Sequence, residues 1–255
     1  MNEMINLELV EHKRFENSRN DNWWLRPFIQ ALTLTFFALY AMWAVVFDVE
    51  HHKSEINDVS FVSPFYSPEI KLDWWPENLS PGLILIWAPL GFRLTCYYAR
   101  RVYYRAFFAD PPSCAVGELR AVANKYKGET KLPWILNNLH RYFFYIAFIL
   151  ASIHVFSFVK LIVVGSLATM EGQIATLLLG LDGIFLALYV LSCHSCKHLV
   201  GGGLNCNSCS SMTIKRYQTW KFIKKLNTKH HWYFWLSLIT ILMADMYIRF
   251  ILAAN

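Results

Sequence analysis

Long apolar runs, separated by short polar or basic connections, dominate the chain and predict helices able to cross a bilayer. Runs of about eighteen or more apolar residues mark candidate spans, and five are read here: 28–47, 83–108, 135–167, 174–191 and 232–254. The expected fold is therefore all-α, a five-transmembrane-helix bundle. Span one is preceded by Trp23 and Trp24, suited to a membrane interface, and opens at Pro27. Span two contains Pro89, which removes a backbone hydrogen bond and predicts a kink there. Arg93, Arg100, Asp245 and Arg249 fall inside spans, where charge is expensive in lipid, so they are expected to face the bundle interior, a cavity or an interface. Asp245 and Arg249 are one helical turn apart and positioned to pair or to line a proton or quinone route. Between spans one and two, the Pro- and Trp-rich segment 51–82 reads as an irregular loop packed by its own aromatics. Residues 214–226 are basic and too short to span, as an interfacial helix would be.

Composition agrees with a membrane class: 55% of the 255 residues are hydrophobic and only 16% are charged, against about a quarter charged in soluble domains. The Lys and Arg residues set an orientation. Eighteen fall in the N-terminal segment and the connections after spans two and four, against four on the other side: Lys53, Lys71, Lys160 and Arg249. This places the N-terminal segment 1–27 and both basic connections in the cytoplasm, with the anchor domain over 28–255. The net charge of +6 suits anionic membrane lipid or an acidic soluble partner. No Gly-rich phosphate loop is present, and nothing calls for nucleic acid. No cleavable signal peptide is read at the start.

The densest chemistry is "CHSCKHLVGGGLNCNSC", a cytoplasmic Cys/His hairpin over 193–209. Cys193, His194, Cys196, His198, Cys206 and Cys209 are the candidate metal ligands. Two Cys-x-x-Cys pairs on the side where thiols stay reduced point to metal rather than to disulfides. Two thiolates with two imidazoles suit a single zinc, or a Rieske-type [2Fe-2S] centre with Cys on one iron and His on the other. The pair Cys206 and Cys209 with His194 and His198 supplies one such set, and Cys193 with Cys196 is the competing thiolate pair. Cys96, alone in span two, reads as a small packed residue. Haem b is the other candidate, held between His140 and His230 or His231. His140 and His154 lie fourteen residues apart, about 21 Å along one helix, and His154 reads as a hydrogen-bonded interior histidine.

The segments "LIWAPLGFRLTCYYARRVYYRAFFADPPSCAV", "LNNLHRYFFYIA", "LSCHSCKHLVGG" and "LNTKHHWYFWLSL" with "ADMYIRF" resemble the membrane-anchor subunit of bacterial succinate dehydrogenase or fumarate reductase, of the single five-helix type. Some relatives of that type carry a membrane-embedded Rieske-type [2Fe-2S] cluster in place of haem b. The resemblance implies a multi-pass protein of the bacterial inner membrane, a flavoprotein subunit, an iron–sulfur subunit docked on the cytoplasmic face, and quinone reduction in the anchor. Succinate itself would be oxidised by the partner subunits. Candidate cofactor-binding residues at the cytoplasmic level are Tyr97, Tyr98, Arg101, His140, Arg141, His230, His231 and Trp232. The hairpin departs from the soluble Rieske pattern, since it has no Cys-x-His and its second pair is Cys-x-x-Cys.

Overall fold

The structure is a computed structural model that describes residues 22, 24–70, 74–76, 79–100, 102, 135–202 and 206–253. Arg101, Cys114, the end of span two after residue 102, the basic connection that follows it and nearly all of the N-terminal segment lie outside the described residues.

Seven α-helices are described: α1 (Leu25–Val46), α2 (Leu83–Thr95), α3 (Ile135–Val163), α4 (Met170–Leu191), α5 (His194–Gly201), α6 (Ser211–Asn227) and α7 (His230–Tyr247), the last continued by a π-helical turn, Ile248–Leu252. Four of these stretches are long and apolar enough to cross a membrane: Leu25–Val46, Asn138–Val163, Met170–Leu191 and His230–Leu252. Helix α4 is the centre, packing mainly on α3 and α7, and α2 lies against α3. The faces turned away from that centre are apolar. On α1, Leu32, Phe36 and Leu39 are 59–67% exposed, as suits side chains solvated by lipid rather than water.

The second predicted span takes a different form. Helix α2 runs through Pro89 without ending there, stops at Thr95 and passes through Cys96 in an extended conformation (ψ 136°) before a further helical stretch begins at Tyr97. Thr95 anchors the break: its hydroxyl donates back to the Gly91 carbonyl at 2.7 Å.

Segment 51–82 is also more ordered than its composition suggested. It holds an antiparallel hairpin, β1 (Lys53–Ile56) and β2 (Val59–Val62), in the register Ile56↔Val59. The two turn residues, Asn57 and Asp58, both have positive φ (49° and 62°), the conformation that two-residue hairpins require and that Asn and Asp tolerate. Phe61 buries its ring beneath the hairpin beside Leu161 and Ile248. Tyr66 pins the following segment to α1 by donating to the Val45 carbonyl at 3.0 Å.

An ion-pair network ties this cap to the bundle. Arg249 Nε donates to Asp245 at 2.9 Å, and its Nη1 reaches Asp48 at 3.0 Å. Asp245 also accepts from Tyr40 at 2.6 Å and from Ser63. The expected pairing of Asp245 with Arg249 is present. Burial alone would raise the Asp48 carboxyl, but hydrogen bonds from His51 and Arg249 outweigh it and hold the group below its ordinary value. A carboxylate whose pKa is depressed on folding stabilises the fold above its unfolded value, and that contribution is lost as pH falls through the folded one. Thermal unfolding followed from pH 6 down to about pH 3 is therefore expected to show a shallower acid decline in Asp48→Asn than in the parent chain.

Candidate metal and quinone centre

Two histidines from different helices are held in the same way. His140, on α3, is 8% exposed, and His230, at the start of α7, is 4% exposed. His140 Nδ1 lies 3.0 Å from Thr95 Oγ1. That hydroxyl already gives its hydrogen to the Gly91 carbonyl, so the ring N–H must be the donor. His230 Nδ1 lies 2.7 Å from Ser192 Oγ, whose hydrogen goes to the Tyr189 carbonyl at 3.1 Å. In both rings the tautomer follows from the network: Nδ1 carries the proton and Nε2 is bare. Each bare Nε2 faces a thiol, His140 with Cys193 at 3.1 Å and His230 with Cys96 at 3.7 Å.

These four side chains line one cavity of about 530 Å³. Cys96 is 2% exposed and Cys193 is 1% exposed. The break after Thr95 places Cys96 there, and the end of α4 places Cys193, which is the extended N-cap of α5 and accepts from the Ser195 amide at 3.4 Å. Burial pushes the Cys193 thiol up to about 12, so without a metal it is an S–H group and donates to His140. Phe92 stacks on His140 at 4.5 Å and Tyr189 stacks on His230 at 4.9 Å, fixing both ring planes. Arg93, buried beneath them, lies 4.9 Å from the centre of the Tyr189 ring and donates to Ser237 at 3.1 Å.

The structure divides the hairpin ligands. Only Cys193 turns into this buried set. Cys196 is buried in the core, where burial raises its thiol. His194 and His198 face each other across one turn of α5, Nε2 to Nε2 at 2.9 Å, on the exposed side of the cavity mouth. Cys206 and Cys209 are joined to each other as a disulfide. The six residues thus do not converge. Successive positions on a helix point about 100° apart, so closeness along the chain distributes these donors around α5.

Of the expected cofactor-binding residues, Tyr97, Tyr98, His140, Arg141 and His230 line the cavity. His231 stands one ring away, 5.4 Å from Tyr98, and accepts from Trp235 at 3.3 Å. Trp232 is 65% exposed and points away from the packed interior. Cys96, read from the sequence as a small packed residue, is indeed buried in the core; that it also faces His230, with Thr95 and Ser192 beside the two rings, was not read. A lone cysteine inside an apolar run was the available signal for Cys96; the two hydroxyls gave none.

Among the described residues no group of three or more His, Cys, Asp or Glu side chains closes on a single-ion site. The four donors stand instead as two contacting pairs. Each pair joins an imidazole to a thiol, whereas a Rieske-type [2Fe-2S] centre takes two Cys on one iron and two His on the other. It is therefore the donor types, two thiols and two imidazoles, and not the contacts between them, that match such a centre. The hydroxyls on both Nδ1 atoms orient the rings, the role that a carboxylate, backbone carbonyl or water commonly plays for metal-bound histidines. The donor set fits a [2Fe-2S] centre of the mixed Cys/His kind.

Comparison with known proteins converges on one family. Residues 25–254 match the family described as actinobacterial succinate dehydrogenase subunit SdhC. A chain of the Mycobacterium smegmatis Sdh1 complex in the apo form is similar over 94% of this chain and 91% of its own, with 32% identity and a TM-score of 0.73. No curated protein matches. This chain, with its several membrane-crossing helices, belongs to the actinobacterial SdhC family of succinate dehydrogenase membrane subunits.

Proposed function

We propose that the chain is the quinone-reducing anchor of a succinate dehydrogenase, with Cys96, Cys193, His140 and His230 holding a [2Fe-2S] centre at one end of the bundle. When bound, that centre supplies one-electron transfer between the iron–sulfur subunit and a quinone. The observation that supports this most directly is the pair of bare Nε2 atoms, each oriented by a hydroxyl and each facing a buried thiol.

The chain's own residues provide the rest. Helix α2, the break at Cys96 and the helical stretch beyond it together form the fifth crossing, which completes the bundle around α4. Tyr97, Tyr98, Asn138 and Arg141 also line the cavity, two aromatic rings and a set of donors of the kind that orients a quinone ring at its carbonyls. The cavity volume of about 530 Å³ lies within the range of small-molecule sites, about 300–1,000 Å³. The adjoining helix α6 carries Lys215, Arg216, Lys221, Lys224 and Lys225, a basic face that receives the iron–sulfur subunit, with the flavoprotein subunit beyond it. This face and the N-terminus are cytoplasmic, by the distribution of Lys and Arg.

Elemental analysis and EPR of the purified complex test the reading. The expected result is iron beyond that of the partner subunits, with the low average g value of a reduced Cys/His-ligated pair. A Soret band would instead assign haem b between His140 and His230, and zinc without additional iron would assign a structural site. Arg141→Leu is expected to raise the apparent KM for quinone several-fold with little change in kcat, measured with succinate saturating. A fall in kcat or in assembly alone would make Arg141 structural.

A further inference from the structure

A second buried polar site lies in the other half of the bundle. His154 is fourteen residues beyond His140 on α3, about 21 Å along the helix. Its Nδ1 lies 2.7 Å from Asp182 Oδ2 on α4, with the two side chains 8% and 0% exposed. Helix α4 reaches α3 closely here because Gly183 has no side chain; a Cβ would meet the His154 carbonyl at 3.3 Å. Asp182 Oδ1 is buried and has no hydrogen-bond partner among the described residues. An ionisable group at such depth costs several kcal/mol unless it is used or fully satisfied, and this one is half satisfied.

The pair is not sealed. His154 lines a cavity of about 510 Å³ between α3 and the β1–β2 cap. Ser157 and Lys160 of α3 and Ser60 of β2 share that lining, and Ser60 Oγ is a further buried oxygen without a hydrogen-bond partner among the described residues. The charged groups facing the pair are few. From the cap come Lys53, Asp58 and Glu69, and from α3 comes Lys160. Helix α2 contributes Arg93, which Asp182 influences electrostatically. Helix α7 contributes the neutral Ser237, beside Arg93, while its own charges, Asp245 and Arg249, are closed on each other and on Asp48. Asp182 and Tyr189 lie seven residues apart on α4, so two turns link the pair to the ring that stacks on His230.

We propose that His154 and Asp182 form a proton-exchange pair open, through this cavity, to the β-hairpin side of the membrane. A proton taken from water onto His154 Nε2 allows the Nδ1 proton to pass to Asp182 Oδ2, leaving a neutral ring of the other tautomer. The reverse transfers, Asp182 Oδ2–H to His154 Nδ1 and the Nε2 proton to water, reset the pair, and Asp182 Oδ1, without a partner among the described residues, is where the carboxyl meets the bundle interior. Quinone reduction takes up protons, and the pair gives them an entry opposite the thiol-lined cavity. That use rests on the quinone reading above; the exchange itself does not.

Infrared difference spectroscopy of the complex in vesicles of known orientation tests it without turnover. An acid step on the β-hairpin side is expected to produce a protonated-carboxyl band that disappears in Asp182→Asn and returns, shifted, in Asp182→Glu. In His154→Gln the band is expected to rise at least about a hundredfold more slowly, the low end of what a positioned acid–base group contributes. A wild-type band that answers only to acid on the opposite side, or no carboxyl band at all, would overturn the proposal. So would a His154→Gln band as fast as the wild type's. A purely structural pair would change stability in these variants and leave the sidedness of the wild-type response unexplained. Should a variant fail to assemble, the wild-type sidedness still decides.

Discussion

Cys193→Ser in the intact complex is expected to abolish the anchor's EPR signal and reduce quinone reduction to background, and Cys96→Ser is expected to do the same. The double variant Cys206→Ser, Cys209→Ser is expected to keep both. The contrast is sharp because proximity in sequence and proximity in space assign different ligands. Cys206 and Cys209 are bonded to each other at the hairpin, on exposed or half-exposed backbone, while Cys193 and Cys96 are each within contact of an oriented imidazole. A serine at either buried site supplies a neutral hydroxyl that does not replace a thiolate on iron. It leaves the packing nearly unchanged, since the side-chain volume differs little. The bundle is therefore expected to insert and assemble, which separates loss of the centre from loss of the fold. Retention of the signal in Cys193→Ser together with its loss in the hairpin double variant would return the ligands to the hairpin. A milder variant, Ser192→Ala, removes the acceptor of the His230 Nδ1–H together with a hydrogen bond to the Tyr189 carbonyl. Outer contacts of this kind are worth about 10–100-fold in metal affinity, so it is expected to yield a complex partly depleted in the centre, read as EPR spins per protein.

The spans and their buried charges were legible because they depend on local periodicity. Apolar runs marked α1, α3, α4 and α7, and of the two readings left open for Asp245 and Arg249 by their four-residue spacing, pairing is the one present. His154 was correctly read as an interior hydrogen-bonded histidine, although its partner on a different helix was not. The candidate ligands drawn from the sequence differ from the side chains the fold brings together for a related reason. Local density of cysteine and histidine is conspicuous in a sequence, but here it separates into His194 with His198 at the cavity mouth, Cys206 bonded to Cys209, and Cys193 and Cys196 turned inward. The set that converges comes from four separated places: the break after α2, the middle of the bundle on α3, the end of α4 and the start of α7. No single-sequence pattern records such a convergence. Cys96 owes its position to an extended residue between two helical stretches, and that break is tied to a Thr95 hydroxyl whose second partner is His140. The hairpin β1–β2 was missed through turn chemistry, since Asn-Asp with positive φ at both positions was hidden in a segment dominated by Pro and Trp.

Arg249→Met is expected to be the most destabilising single change in the half of the bundle capped by β1 and β2, costing about 3–5 kcal/mol, the usual penalty for removing one partner of a buried ion pair. Arg249 is the one described cation that joins Asp245 and Asp48. Its removal leaves two carboxylates with no cation between them, one of them 0% exposed. Asp245→Asn is expected to cost less, about 1–3 kcal/mol, because Arg249 keeps Asp48 as its counter-charge and the amide oxygen still accepts from Tyr40 or Ser63. The double variant is the informative part. Loss of hydrogen bonds alone would also make Arg249→Met the worse, since Arg249 donates four and Asp245→Asn keeps an accepting oxygen, but it would give the double variant no recovery. If charge balance dominates, Arg249→Met must be the worse, and adding Asp245→Asn to it must recover part of the loss, because the double variant has one buried carboxylate fewer. Unfolding midpoints of the parent complex, the two single variants and the double variant give the coupling directly. A coupling near zero would show that Asp245 and Arg249 stabilise the cap independently, through Ser63 and Asp48, and that their ion pair contributes little.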